Sequence, residues 1–134
     1  MDRQARAEMA ANPRYRWLGE LPRWRARRLI ARSRLMVLSS RMEGGANVIG
    51  EAVSAGVPVL ATAIPGNIGL LGPAYPGYFP VGNAPALAAL LRRAETDATF
   101  LRSLEHGVGA IAARFDPERE RADWVELLSD IQRE

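Results

Sequence analysis

Fifty consecutive residues, 42–91, contain only two formally charged side chains, Glu43 and Glu51. A folded chain keeps most of its charges in water, so a stretch this long without them is largely buried or faces a ligand. A carboxylate in such surroundings needs hydrogen-bonding or charged partners, because burial disfavours its ionised form. The stretch therefore predicts an interior built from this part of the chain, with two carboxylates that require partners.

Apolar runs within and around this stretch predict strands that alternate with helices. Residues 35–38 and 58–61 are continuous apolar runs, typical of strands buried on both faces of a parallel sheet. Shorter strands are predicted at 15–18 and 78–81, and a loop over 65–77. Capping residues and apolar periodicity predict helices over 2–11, 22–33, 47–55, 83–95, 97–115 and from 116 onward.

This alternation predicts the fold class. Strands and helices that alternate across residues 15–95 indicate βαβ units, hence an α/β fold with a partial doubly wound, Rossmann-like parallel sheet, followed by C-terminal helices. No internal repeat or low-complexity linker divides the sequence, so residues 1–134 are expected to form a single domain. Only about four strands are predicted, and the sequence opens in the middle of the alternation. We therefore expect a partial domain.

The loop after the run at 35–38 carries the candidate binding site, because doubly wound sheets bind ligands at the carboxyl ends of their strands. Its small side chains allow a phosphate to reach the backbone amides at the start of the next helix, where the helix dipole also favours an anion. Asn47 and Glu51 are four residues apart, hence on one helical face. A diphosphate there would leave Glu51 free to accept hydrogen bonds from ribose hydroxyls, and Glu43 from those of a sugar.

Each of these features also has a purely structural interpretation. Glu43 or Asn47 could simply cap the helix, and Glu51 could be an exposed helix residue. Gly44 and Gly45 could form a tight turn. The pair Pro65 and Gly66 is a turn signal as readily as part of a ligand loop.

The motif Glu43-x7-Glu51, followed by Ala-Gly-Val-Pro-Val-Leu-Ala at 55–61 and Pro-Gly at 65–66, resembles the C-terminal domain of retaining GT-B glycosyltransferases of the family 4, or group 1, type. The resemblance covers roughly residues 15–115. It implies that Glu51 binds the nucleotide ribose and that Glu43, in the catalytic site, contacts the donor sugar. It also implies a set of residues on the donor diphosphate, Gly44, Gly45, Ala46, Asn47 and Val48, and a donor-site loop at Pro65 and Gly66.

The strings at 43–48, 69–72 and 75–81 are further similar to the branch that contains the selenosugar synthase of selenoneine biosynthesis. One departure concerns charge: the family places an Arg and a Lys on the diphosphate from an earlier segment, whereas this sequence has no Lys at all. The resemblance covers only the donor-binding domain, so we expect the acceptor-binding N-terminal domain of the family to be absent from this sequence.

The resemblance thus implies the donor-binding half of a retaining glycosyltransferase, which takes a nucleoside-diphosphate sugar, expected to be a UDP-sugar, without a cofactor or metal. An alternative is a non-catalytic truncated remnant, or a binding domain that needs a separate N-terminal partner.

Composition narrows the remaining function classes. The absence of cysteine excludes disulfides and thiolate metal sites and fits a cytoplasmic protein, and no apolar stretch approaches the roughly 20 residues of a membrane span. Without Lys there is no Walker A motif, and no G-x-G-x-x-G fingerprint occurs. Residues 1–41 hold eleven arginines against three carboxylates. We interpret these as solvated helix faces rather than a nucleic-acid site, with contact to an absent partner segment as a further alternative.

Overall fold

A computed structural model describes residues 2–42, 46–112 and 117–132. Seven helices and three strands lie in these ranges. In chain order they are α1 (Asp2–Ala11), α2 (Arg23–Arg32), β1 (Met36–Leu38), α3 (Ala46–Ser54), β2 (Val59–Thr62), α4 (Pro65–Leu71), β3 (Tyr78–Phe79), α5 (Ala84–Thr96), α6 (Ala98–Ala112) and α7 (Pro117–Ile131). The α/β class is confirmed, as are three helices after the last strand.

The three strands form one parallel sheet in the order β1-β2-β3. Met36 lies opposite Val59 and Ala61 lies opposite Tyr78. Both connections contain a helix, α3 and then α4, as parallel pairing requires. All four residues of β2 are buried, so the prediction of a strand covered on both faces is confirmed there. The arrangement is a partial Rossmann-like sheet.

The core joins this sheet to α3 and α6. Ile49 and Val53 of α3, one turn apart, are fully buried, and so are Leu104 and Val108 of α6. They belong to one apolar cluster that also includes β2. Most of this cluster comes from the stretch that the sequence leaves almost free of charge, which confirms that the stretch forms the interior.

The Tyr75 side chain forms hydrogen bonds with the backbone of β2 at a position that β3 does not reach. Its hydroxyl donates a hydrogen bond to the Val59 carbonyl at 2.6 Å and accepts one from the Val59 amide at 3.0 Å. β3 begins only at Tyr78, so without this side chain both Val59 groups would face the gap before β3. Burial raises the pKa of Tyr75 to about 12, since the ionised phenol is poorly solvated there.

Two strand predictions near the start of the sheet need correction. Residues 15–18 form no strand, although Tyr15 and Trp17 are half-buried while the residues after each are exposed. A strand requires a neighbour with which to exchange hydrogen bonds, and no described strand lies beside this segment. The prediction that 35–38 is buried on both faces is also wrong. β1 pairs with β2 alone among the described strands, and Val37 is 40% exposed.

The predicted loop over 65–77 is wrong over its first half, where α4 lies instead. Pro65 occupies the first turn of this helix, where its fixed φ is suitable and its lack of an amide hydrogen costs nothing. The Pro-Gly pair therefore starts a helix here rather than a turn. The strand predicted over 78–81 ends at Phe79, because Pro80 cannot donate to the ladder and Gly82 adopts a positive φ of 72°.

The capping predictions for α5 and α6 are confirmed. Asn83 Oδ1 accepts a hydrogen bond from the Ala86 amide at 3.0 Å. Asp97 Oδ1 accepts from the amides of Thr99 and Phe100 at 3.0 and 3.1 Å. These side chains satisfy amides that have no partner within their helices, so the two helices begin where the sequence predicts.

Candidate functional site

The predicted site lies between β1 and α3, at the carboxyl end of the parallel sheet. The structure describes the chain up to Met42 and again from Ala46, so Glu43, Gly44 and Gly45 lie outside the described residues. Their assigned roles therefore remain predictions. α3 begins at Ala46, one residue before the predicted start, and its first turn contains Ala46, Asn47 and Val48. Val48 is half-buried.

Glu51 is the one predicted carboxylate that the structure describes. Its side chain is only 15% exposed, so the alternative that it is an exposed helix residue is wrong. Its Oε1 accepts a hydrogen bond from Arg23 Nε at 3.4 Å, and Arg27 Nε lies 3.8 Å from the same oxygen. Two guanidinium groups of α2 thus offset the cost of keeping this carboxylate largely out of water.

Sequence reasoning did not find Arg23 and Arg27 as partners, since it assigned the Arg-rich region to solvated helix faces. One pattern could have found them. A carboxylate in a charge-free stretch needs a cation from elsewhere in the chain, and arginines four residues apart lie on one face of a helix. Arg23 and Arg27 have this spacing on the helix that immediately precedes β1.

A buried polar network anchors the start of the loop that follows β1. Thr62, fully buried at the end of β2, donates a hydrogen bond from Oγ1 to the Ser40 carbonyl at 2.6 Å. Asn67 of α4 donates from Nδ2 to the Thr62 carbonyl at 2.9 Å and to Thr62 Oγ1 at 3.1 Å. The backbone three residues before Glu43 is thereby fixed to β2. Sequence analysis identified neither Thr62 nor Asn67, which stand as single polar residues among apolar ones.

Pro65 and Gly66 lie in the first turn of α4, immediately before Asn67. These two residues therefore lie in a helix, and the prediction that they form a loop is wrong. Their role in this structure is to start the short helix that carries Asn67 into the network with Thr62. Contact of these two residues with a donor remains a prediction.

A cleft of about 310 Å³ opens at the carboxyl ends of all three strands. Ser39 and Arg41 follow β1, Thr62 ends β2 and Phe79 ends β3; Gly82, Asn83, Ala84 and Leu87 complete the lining. Ligands of doubly wound sheets bind at this edge. Arg41 supplies a positive charge there, and sequence analysis did not single it out. None of the predicted donor-binding residues that the structure describes lines the cleft.

The described ranges, 2–42, 46–112 and 117–132, contain no candidate metal cluster and no helix that could cross a membrane. In those ranges, no group of three or more His, Asp or Glu side chains is arranged to hold a metal ion. No helix among them is long and apolar enough to cross a membrane.

Comparison with known proteins identifies the family. Residues 3–108 match the family model described as glycosyl transferases group 1. The match spans more than three quarters of the sequence and includes β1, β2, β3 and α3 with Glu51. A search of curated proteins gave no match. The parallel sheet agrees with this match, and the chain belongs to the group 1 glycosyl transferases.

Proposed function

We propose that this chain binds a nucleoside-diphosphate sugar and acts as the donor-binding half of a retaining glycosyltransferase. Membership of the group 1 glycosyl transferases supports sugar transfer from a donor. The observation that carries the proposal is the placement of Glu51. It lies on the helix that follows the loop at the carboxyl end of β1, largely enclosed and held by two arginines.

A carboxylate in this position suits the ribose of a nucleotide. Carboxylate oxygens accept several hydrogen bonds each, and no described residue donates one to Oε2 of Glu51. The start of α3 carries no acidic residue in its first turn. Its amides and dipole can therefore receive the donor diphosphate without a competing carboxylate in that turn, as the roles assigned to Gly44, Gly45, Ala46, Asn47 and Val48 require.

Transfer of the sugar would depend on stabilising the nucleoside diphosphate as it leaves. Charge develops on the bridging oxygen when the bond to the anomeric carbon breaks, so donors that strengthen their contacts at that moment accelerate the step. The α3 amides supply such donors, and Glu43 would hold the sugar hydroxyls. Retention of configuration, a UDP-sugar donor, membership of the family 4 type and the selenosugar synthase branch belong to this proposal through the resemblance of the motifs.

Calorimetric titration with UDP, UDP-N-acetylglucosamine and GDP tests the proposal. We expect saturable binding of one nucleotide, and a Glu51→Ala variant should bind it at least about tenfold more weakly, since hydrogen bonds to charged groups are lost. Glu95→Ala is the matched control, because Glu95 is an exposed carboxylate on α5. A flat trace from folded protein would refute a working donor site in this chain.

A second candidate is a binding domain that requires a separately encoded N-terminal half. It is favoured by the apolar residues of α7, where Trp124, Leu128 and Ile131 are each more than half exposed. A helix face of this kind is expected to be covered in the functional protein. The same titration discriminates the candidates, because this one predicts weak or no nucleotide binding by the isolated chain.

A further inference from the structure

Arg23 and Arg27 contact Glu51 from the same helix, and both contacts involve one oxygen of its carboxylate. They lie one turn apart on α2, and the shortest contact of each runs from Nε to the same carboxylate oxygen, Oε1. Glu51 receives no hydrogen bond at Oε2 from any described residue. Among the described residues, the contacts of the Glu51 carboxylate thus involve one oxygen, Oε1.

The three side chains differ in exposure: the glutamate is mostly buried and the two arginines are mostly exposed. Glu51 is 15% exposed, whereas Arg23 and Arg27 are 76% and 61% exposed. The carboxylate is enclosed, and the guanidinium groups that hold it keep most of their surface open. Together the three side chains carry a net charge of +1, so a negatively charged ligand is not repelled by the glutamate.

We propose that Arg23 and Arg27 are positioning residues of the donor site, which fix the Glu51 carboxylate so that its free oxygen accepts hydrogen bonds from ribose hydroxyls. This inference rests on the function proposed above. A side chain that is already held loses little conformational freedom when the ligand binds, so the ribose contact is stronger than a freely rotating glutamate would make. The arginines act through Glu51.

The competing explanation is that the arginines only add positive charge or fasten α2 to α3. Exposed ion pairs contribute little to stability, and added charge strengthens binding of any diphosphate equally. Positioning makes a narrower prediction. It affects only that part of the affinity that comes from the ribose hydroxyls, so the ligand pair UDP and 2′,3′-dideoxy-UDP separates the two explanations.

The experiment measures the ratio of the dissociation constants of 2′,3′-dideoxy-UDP and UDP for the full chain. We expect a ratio of about 10 or more for the wild type, because hydrogen bonds to a charged group are lost with the hydroxyls. In the Arg23→Gln/Arg27→Gln variant the ratio should fall about 3- to 10-fold, since the released carboxylate must be immobilised on binding.

The matched control is Arg25→Gln/Arg28→Gln, which removes two charges from the same helix. Neither Arg25 nor Arg28 pairs with a carboxylate among the described residues, and both line a groove that does not include Glu51. The control should leave the ratio at its wild-type value. Circular dichroism establishes that each variant is folded, and the single variants Arg23→Gln and Arg27→Gln serve if the double variant is not.

The experiment distinguishes failure of the positioning role from failure of the proposed function. If the Arg23→Gln/Arg27→Gln variant weakens both ligands equally and keeps the wild-type ratio, the arginines act by charge alone and the positioning role is overturned. If the wild type binds none of UDP, UDP-N-acetylglucosamine and GDP, or if Glu51→Ala binds the nucleotide as the wild type does, the proposed function itself fails.

Discussion

The helices α6 and α7 have the same length and both carry apolar side chains at helical spacing, but their surroundings are opposite. Each contains 15 residues. α6 buries Phe100, Leu104, Val108 and Ile111, spaced by three or four residues, whereas on α7 the residues Trp124, Leu128 and Ile131, also spaced by four and three, are each more than half exposed. Helical periodicity therefore predicts a helix and its apolar face equally well in both cases, but it does not predict whether another surface covers that face.

The difference arises from what each apolar face meets. That of α6 joins the cluster formed by α3 and β2, and its first turn lies near α5, where the Arg93 guanidinium sits 4.1 Å from the centre of the Phe100 ring. The apolar residues of α7 belong to no such cluster among the described residues. Burial of apolar area, rather than helix propensity, provides most of the stability of a helix in a protein, so we expect the two to respond very differently to substitution.

The largest contrast is expected from truncating a leucine in each helix. Leu104→Ala should lower the free energy of unfolding by about 3 kcal/mol, because Leu104 is fully buried and the change leaves a cavity. Leu128→Ala should change it by less than about 0.5 kcal/mol, as for an exposed site. Urea denaturation of both variants measures these values. Equal losses would contradict the description of α7 as uncovered.

Tyr75, which packs beside α6, should make stability fall at high pH. Its pKa is about 12 in the folded state against about 10 in the unfolded chain, so the folded state retains the proton more strongly. The resulting stability is complete below pH 10 and is lost as the pH rises from 10 to 12, by about 2 to 3 kcal/mol in total. Urea denaturation at several pH values measures this slope.

The control for the pH dependence is Tyr75→Phe, which should remove the part of the slope that Tyr75 contributes. At neutral pH the same variant should be less stable by about 1 to 3 kcal/mol, since the Val59 amide and carbonyl lose the hydroxyl as their partner. An unchanged slope in this variant would assign the pH dependence to other groups, among them Tyr78, whose pKa is also raised by burial.

The two faces of α6 itself should respond in opposite directions to added methyl groups. At Gly107 a Cβ would lie 2.9 Å from Cδ2 of Tyr75, whereas at Gly109 it would meet nothing within 4 Å. Gly107→Ala should therefore destabilise the protein by about 1 kcal/mol or more through overpacking. Gly109→Ala should stabilise it by about 0.5 to 1 kcal/mol through helix propensity. Thermal denaturation distinguishes them, and a stabilising Gly107→Ala would contradict the close packing of Tyr75 on α6.

Several elements were predictable because their determinants are local. Asn83 and Asp97 begin α5 and α6 by bonding amides two or three residues away, a distance that the sequence shows directly. The parallel sheet followed from two apolar runs separated by a helix. The failures lie where a distant segment decides the structure. Residues 15–18 have strand composition but no described neighbouring strand, and Pro65 starts a helix whose Asn67 and Leu71 are buried in the interior.

The sequence by itself determined the charge-free interior, the α/β class and the placement of Glu51 on the helix after β1. These follow from hydrophobic patterning and residue spacing, which act over a few residues. Only the tertiary structure decided that Arg23 and Arg27 hold Glu51, that Thr62 and Asn67 anchor Ser40, and that α6 is covered while α7 is not. Those contacts join segments far apart in the chain or depend on a surface being present, and no local pattern specifies either.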